Sequence, residues 1–443
     1  MKENTRRLID YSLPAVFESI LQTSVGFVDS ILIAKISLVA VSAVSLVNGV
    51  MAVYQAVFIA LAVAVATVVS NAAGARSGTD ISENVRQSIA LSLLIGVSLS
   101  VLSLILAHPI LRAMGASGAI LQQGVIFFRV IAGTSVLIVL MTVLGQLIRT
   151  ASQTRTPLTI NLMVNLLNFC LDVVLIFGLF GLPRLGILGA GIGTALSRLI
   201  GVVILFQKLQ KTTHRLQGPI ISWQPHLFKT EIFKRALPIM GERLMMRLGD
   251  IVIFIIIIAY GSKVFAGNAI GETITAYNYL PAFGFATGAS ILIARAYGAK
   301  DSLELRALTK TSFVMTAVIS TLLGGLIFAF SSLILNFFTN DPVAISAAQV
   351  VILISFVSEP IVAGVIIYTA ALQAMGDAKT PFYATMVGMW GIRIGVAWLL
   401  GTAFGLGIWG VWIATALDNI FRLIMLKLVY DYRIKNQNIN RAT

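Results

Sequence analysis

The sequence predicts an all-α integral membrane protein: twelve transmembrane helices in two pseudo-symmetric six-helix lobes around a central cavity. Three observations carry the prediction. The chain has too few charges for a soluble surface, its apolar runs are of bilayer length, and its second half repeats the first.

Of 443 residues, 58% are hydrophobic and 11% charged, with mean hydropathy +0.93. A soluble domain carries about 25% charged residues, so this chain has too little polar surface to face water on all sides. Many apolar runs exceed the roughly 18–20 residues that cross a hydrocarbon core. No alternating ten-residue pattern appears, which disfavours a β-barrel. The net charge of +14 does not imply nucleic acid. The basic residues sit at the ends of apolar runs, and there is no continuous basic face or recognition motif. The lone cysteine, Cys170, excludes an internal disulfide and a multi-cysteine metal site. His108, His214 and His226 are scattered and take no metal role. The basic start, MKENTRRLIDYSLP, leads into a long apolar run without a small-residue cleavage site, and reads as a retained cytoplasmic segment.

Twelve spans are expected, at residues 10–34, 40–73, 87–110, 119–148, 158–180, 186–208, 234–260, 265–297, 308–338, 343–375, 380–402 and 405–430. Most basic residues fall on one side of them, among them Arg6, Arg7, Arg76, Arg149, Arg155, Lys300 and Arg433. The opposite loops hold only Lys35, Arg112, Arg184 and Lys263, which puts both termini in the cytoplasm. Residues 209–233, polar and basic with Gly218, Pro219 and Pro225, read as a cytoplasmic linker between lobes 1–208 and 234–443.

The halves match at a shift of 224. Leu13-Pro14 pairs with Leu237-Pro238, Glu18 with Glu242, Gly74-Ala75-Arg76 with Gly298-Ala299-Lys300, Ser88 with Ser312, and Thr156-Pro157 with Thr380-Pro381. The shift then becomes 221, pairing Gly186, Gly189 and Thr194-Ala195-Leu196 with Gly407, Gly410 and Thr415-Ala416-Leu417. An even number of spans per half makes this a parallel repeat about an axis along the membrane normal. Two such lobes rocking around a cavity describe a carrier better than a channel.

Ionisable groups at membrane depth are costly and mark function. The first span carries Asp29, and the fifth carries Asn161, Asn165, Asn168 and Asp172. The 4, 3, 4 spacing puts those four on one helical face, which should meet protein or water and not lipid. The sixth span carries Thr194 within GAGIGTAL, whose glycines permit close helix packing. Asp29 lies 15 residues beyond Pro14 and Asp172 lies 15 beyond Pro157, each roughly 22 Å up its helix. Thr194, descending from the outer side, reaches the same level. Two carboxylates, an amide oxygen and a hydroxyl suit a proton or a monovalent cation such as Na+, with a purely structural polar cluster as the alternative.

The position matching Asp29 in the second half is Ile253, and Arg393 lies near the level of Asn168 and Asp172, so the ion chemistry is expected in the first half. Arg247 and Asp250 are spaced to neutralise each other. Glu242, repeat partner of Glu18, has a packing or hinge reading. Together with Glu272 and Glu359 it is also a candidate for cationic substrate or a second cation. Met245, Met246 and several phenylalanines have two readings, lining of an adaptable cavity and, more often at helical spacing, ordinary packing.

The segments LPAVFESILQTSVGFVDS, SNAAGARSG with its echo ARAYGAKDS, IRTASQTRTP with LQAMGDAKTP, NLLNFCLDVVLIFG and LGAGIGTAL resemble the multidrug and toxic compound extrusion (MATE) family over essentially the whole chain. The resemblance implies a V-shaped cavity and export of cationic, amphipathic compounds driven by inward Na+ or H+ flow. It gives Asp29 the central coupling role, with Asn168, Asp172 and Thr194 completing the site. It carries the seventh-helix acid of one branch to Glu242. That branch's tenth-helix aspartate has no match, Glu359 lying about one turn away. The competing reading is a flippase for lipid-linked or oligosaccharide precursors. Its cavity would need more positive charge for phosphate than Arg198, Arg243, Arg247 and Arg393 offer. No nucleotide motif, metal-ligand set or nucleophile constellation supports an enzyme. The expected protein is a monomer in a lipid bilayer, with no cofactor beyond the coupling ion.

Overall fold

The computed structural model describes residues 2–216 and 230–442. Gly218, Pro219, Pro225, His226 and Lys229 of the linker lie outside the described residues. Among those described, the chain is helical throughout, without strands. In order come α1 (Lys2–Ala34), α2 (Leu38–Gly74), α3 (Gly78–Ala113), α4 (Gly118–Gly133), α5 (Ser135–Thr150), α6 (Arg155–Phe177) and α7 (Ile187–Gln210). Then follow α8 (Glu231–Ile258), α9 (Ser262–Gly298), α10 (Ser302–Ala329), α11 (Ser331–Phe338), α12 (Pro342–Ala374), α13 (Lys379–Thr385), α14 (Ile394–Val396) and α15 (Ile408–Ala442). Two π-helical stretches, Met386–Arg393 and Ala397–Ala403, flank α14 and join it to α13. Eight helical stretches among the described residues are long and apolar enough to cross a membrane. The chain is an integral membrane protein.

Several expected spans are divided in ways that hydropathy does not show. The run expected at 119–148 is two helices meeting at Thr134. There the Thr134 hydroxyl donates back to the Val130 carbonyl at 2.8 Å, an i−4 bond that competes with the helix ladder. The Ser100 hydroxyl accepts from the Val136 N–H of the next turn. The run expected at 308–338 breaks at Phe330 into α10 and α11. Where the chain turns, capping is explicit. Asp301 accepts from the N–H groups of Leu303 and Glu304, and Asp341 from those of Val343 and Ala344 with Pro342 at the first helical position. Lys263, 2.7 Å from Asp341, holds that carboxyl below the usual carboxylate range.

The chain forms two compact units, one of Phe17–Ala236 and one of Met1–Val16 with Leu237–Thr443. The division therefore falls inside α1 as well as just after the linker. In the first unit, Val47, Leu111 and Phe128 are fully buried within a core built from α2, α3 and α4. In the second, Leu8 of α1 is fully buried beside Leu305, Leu308 and Leu372. Lipid is as apolar as leucine, so close packing must hold such helices together, and small residues provide it. Gly284 and Gly288 of α9 show the device. A Cβ on either would strike the backbone of α1 at Val16 and Ser12. Arg7–Glu304 and the Arg295-to-Tyr11 hydrogen bond of 2.8 Å tie the same stretch of α1 down.

The repeat is visible in backbone geometry, unit by unit. Arg76 and Lys300, matched at the shift of 224, both take left-handed φ values of 56° and 57°. The next residues, Ser77 and Asp301, donate to the Ala72 and Ala296 carbonyls at 3.1 and 2.9 Å. A non-glycine residue in that region costs roughly 1–2 kcal/mol. Gly186 and Gly407, matched at 221, repeat the pattern at φ 53° and 56°.

The acids Glu18 and Glu242 occupy equivalent frameworks. Glu18 is buried, ion-paired to Arg149 and bonded by the Asn161 amide. Glu242 accepts from Gln373 at 3.0 Å and is bonded by Thr385, which stand at the positions of Arg149 and Asn161 shifted by 224.

Candidate ion site in the first unit

α6 presents its polar stripe as the spacing predicts. Asn168 and Asp172 are 5% and 2% exposed, while Leu166 on the opposite face is 63% exposed. A helix with a polar face inward and leucine outward belongs in lipid with protein behind it. Cys170 lies on the exposed side.

α7 runs antiparallel against that stripe, and glycines set how closely. Gly189 sits on the backbone of Leu175, and Gly193 lies directly on the Asp172 carboxylate. This brings Asn168 to Thr194: the amide donates to the hydroxyl oxygen at 3.3 Å, and the hydroxyl donates to the Ala190 carbonyl at 2.9 Å. Asn168 also bonds Asp172. From α1, Asp29 comes within electrostatic reach of Asp172, and Arg198 of α7 acts on both carboxylates. The sequence reading assigned Arg198 no part in this cluster, weighing it only as a phosphate partner. Its signal was available: it follows Thr194 by one helical turn.

The site is buried and not internally satisfied. Oδ1 of Asp29, Oδ1 of Asp172, Nδ2 of Asn165 and Nη1 of Arg198 are each shielded from solvent without a hydrogen-bond partner. Buried polar atoms are rarely left unpaired, and four in one cluster mark a place built for something polar. The two orphaned oxygens are carboxylate oxygens, the donor type a proton or a hard monovalent cation requires. Among the described residues, no three His, Cys, Asp or Glu side chains gather as a metal cage.

Gly193 offers a direct test of the packing. Gly193→Ala drives a methyl into the Asp172 carboxylate, so overpacking should cost about 1–3 kcal/mol and displace the acid. Both melting temperature and any ion-driven transport should fall. Gly26→Ala in α1, where a Cβ meets nothing within 4 Å, should leave both unchanged or slightly improved.

The acids of the second unit do not form a matching set. Glu242 has its Gln373 and Thr385 partners. Glu272 accepts from Asn268 at 3.1 Å, whose own oxygen accepts from Trp412 at 2.9 Å. Glu359 is 2% exposed and bonded to Asn278. The second unit nevertheless carries a buried charge cluster of its own. Asp418, fully buried on α15, takes Nε and Nη2 of Arg393 at 2.9 and 2.7 Å and faces Nε of Arg422 at 3.1 Å. Asp250 stands 4.0 Å from both Arg247 and Arg393, so its pairing with Arg247 is loose and shared. Asp418 and Arg422 were missed, although an acid and a base four apart inside an apolar run signal an internal pair.

The MatE family model matches residues 14–174 and 238–399, one match in each half. The probable multidrug resistance protein NorM of Thermotoga maritima is 28% identical over 431 residues, covering 97% of this chain and 92% of the relative. The uncharacterized transporter YisQ of Bacillus subtilis is 28% identical over 345 residues, 77% of this chain and 75% of the relative. Among solved structures, a MOP superfamily transporter from Pyrococcus furiosus shares the fold at TM-score 0.89 and 21% identity, covering 98% of this chain and 97% of that one. The chain belongs to the MatE family, whose members are membrane transporters and not enzymes.

Proposed function

We propose that this transporter exports cationic, amphipathic compounds by antiport with H+ or Na+, through alternating access of its two six-helix lobes, with both termini in the cytoplasm. The observation that carries the coupling step is the pair of buried carboxylates whose Oδ1 atoms, on Asp29 and Asp172, lack partners beside Asn168 and Thr194. Those four residues are the proposed ion site. A proton or Na+ arriving there neutralises charge and completes the coordination that the protein leaves open. The name of the Thermotoga maritima relative supports drug export as the role. Glu242, Glu272 and Glu359 supply negative charge in the second unit for a cationic cargo. For the flippase reading, Arg393 is already engaged by Asp418, which leaves Arg243 and the loosely paired Arg247 as the second-unit cations for a phosphate.

The test is transport by the purified chain in proteoliposomes. A fluorescent lipophilic cation should move against an imposed inward Na+ or H+ gradient, and the movement should stop when the gradient is collapsed by an ionophore. Transport indifferent to both gradients would refute ion coupling. Movement of an anionic lipid headgroup in place of the dye would replace the drug-export reading with the flippase.

A further inference from the structure

We propose that Arg198 is a tethered cation that competes with the coupling ion for Asp29 and Asp172, and so limits the site to one monovalent charge. The inference deepens the ion-coupling reading above and rests on it.

The helix register sets up the geometry. Gly193 lies on Asp172 and Gly201 on Val164, so the Arg198 backbone falls between those levels, alongside Asn165 and Asn168. Helical side chains lean toward their own N-terminus. On α7 that direction leads toward Thr194 and Asp172. The guanidinium faces both carboxylates electrostatically, yet no direct ion pair joins it to either among the described residues. Its Nη1 and the Asn165 Nδ2 are orphaned donors, while Asp29 Oδ1 and Asp172 Oδ1 are orphaned acceptors. Donors and acceptors thus share one buried cluster without meeting. A small ion or water between them satisfies the acceptors. When it leaves, the flexible arginine stem lets the guanidinium close on the carboxylates and satisfy them instead.

Charge balance says what the site takes. Two carboxylates and one guanidinium leave a single negative charge, which one proton or one monovalent cation cancels. Without Arg198 two negative charges remain. At an effective dielectric near 20, a unit charge about 6–12 Å away changes ion affinity by roughly tenfold to a hundredfold. The closing guanidinium also prevents a bare pair of buried like charges, which favours release of the ion on the low-concentration side.

Equilibrium binding of radioactive Na+ to the purified full chain in detergent tests this without transport. Arg198→Gln should bind Na+ at least about tenfold more tightly than the unaltered protein. Arg198→Lys, which keeps the charge, should stay within about threefold. Asp29→Asn, placed on the Arg198→Gln background, should remove the gain. Equal Na+ affinity in Arg198→Gln and the unaltered protein, or no binding in either, overturns the role given to Arg198. If the unaltered protein also shows no gradient-driven efflux, the coupling reading itself has failed. If efflux is coupled but the affinities are equal, only the arginine inference falls.

Discussion

Asp29→Asn is expected to abolish gradient-driven efflux while leaving the protein folded. The substitution keeps the shape of the side chain and removes its charge. The Oδ1 of Asp29 has no hydrogen-bond partner, so replacing that atom disrupts no bond of its own. The melting temperature should therefore stay within a few degrees of the unaltered protein. The ion, by contrast, loses one of two carboxylates. An ion site weakened by about 3 kcal/mol loses roughly a hundredfold in affinity, enough to uncouple transport at ordinary ion concentrations. Binding of a lipophilic cation, measured by fluorescence without any gradient, should survive because the candidate acids Glu242, Glu272 and Glu359 belong to the other unit and are unaltered. Gradient-driven efflux by Asp29→Asn at the unaltered rate would remove Asp29 from the coupling site. Loss of both folding and efflux would reassign it to structure.

Much of this site was legible because membranes make polar residues conspicuous. Asn161, Asn165, Asn168 and Asp172 stand out on an apolar helix, and their spacing alone assigns them one face. Thr194 was reached by counting rise per residue, since antiparallel helices in a bilayer share a common scale. The helix breaks at Thr134 and Phe330 were not legible, since both runs stay apolar through the break and neither contains a proline there. The depth of the π-helical winding between Met386 and Ala403 was equally hidden. The second-unit cluster escaped for a different reason. The repeat led attention to positions equivalent to Asp29 and Asp172, where the second half has Ile253 and Val396. Its charges sit at other positions. Arg422 corresponds to Gly201 at the shift of 221, and Asp418 to Ser197. A repeat keeps the backbone framework, as the paired turns at Arg76 and Lys300 do, but lets polar chemistry move among its helices. The acids Glu18 and Glu242 show the intermediate case. Their partners stand at matching positions, but Arg149 and Asn161 are replaced by Gln373 and Thr385.

Asp418→Ala should behave in the opposite way to Asp29→Asn, losing stability before any specific coupling. Asp418 is fully buried and holds two arginines, through a two-point bond to Arg393 and a 3.1 Å pairing with Arg422. Removing it leaves two guanidiniums facing each other in a site where Asp250, 4.0 Å from Arg393, is too far to compensate fully. Breaking one partner out of a buried ion pair costs about 3–5 kcal/mol, and a unit of this size loses roughly 2–4 °C of melting temperature per kcal/mol. A fall of about 6 °C or more is therefore expected by scanning calorimetry in detergent. Arg422→Leu added to Asp418→Ala should recover part of that loss, because the second change removes one of the stranded charges. If Asp418 acted instead as an ion-binding acid, Asp418→Ala would abolish coupling with little change in melting, and the double variant would not recover. Comparing melting and coupled efflux across these variants separates the two clusters. The carboxylates of the first unit, which have no direct ion pair, should govern transport, and the ion-paired network around Asp418 should govern the fold.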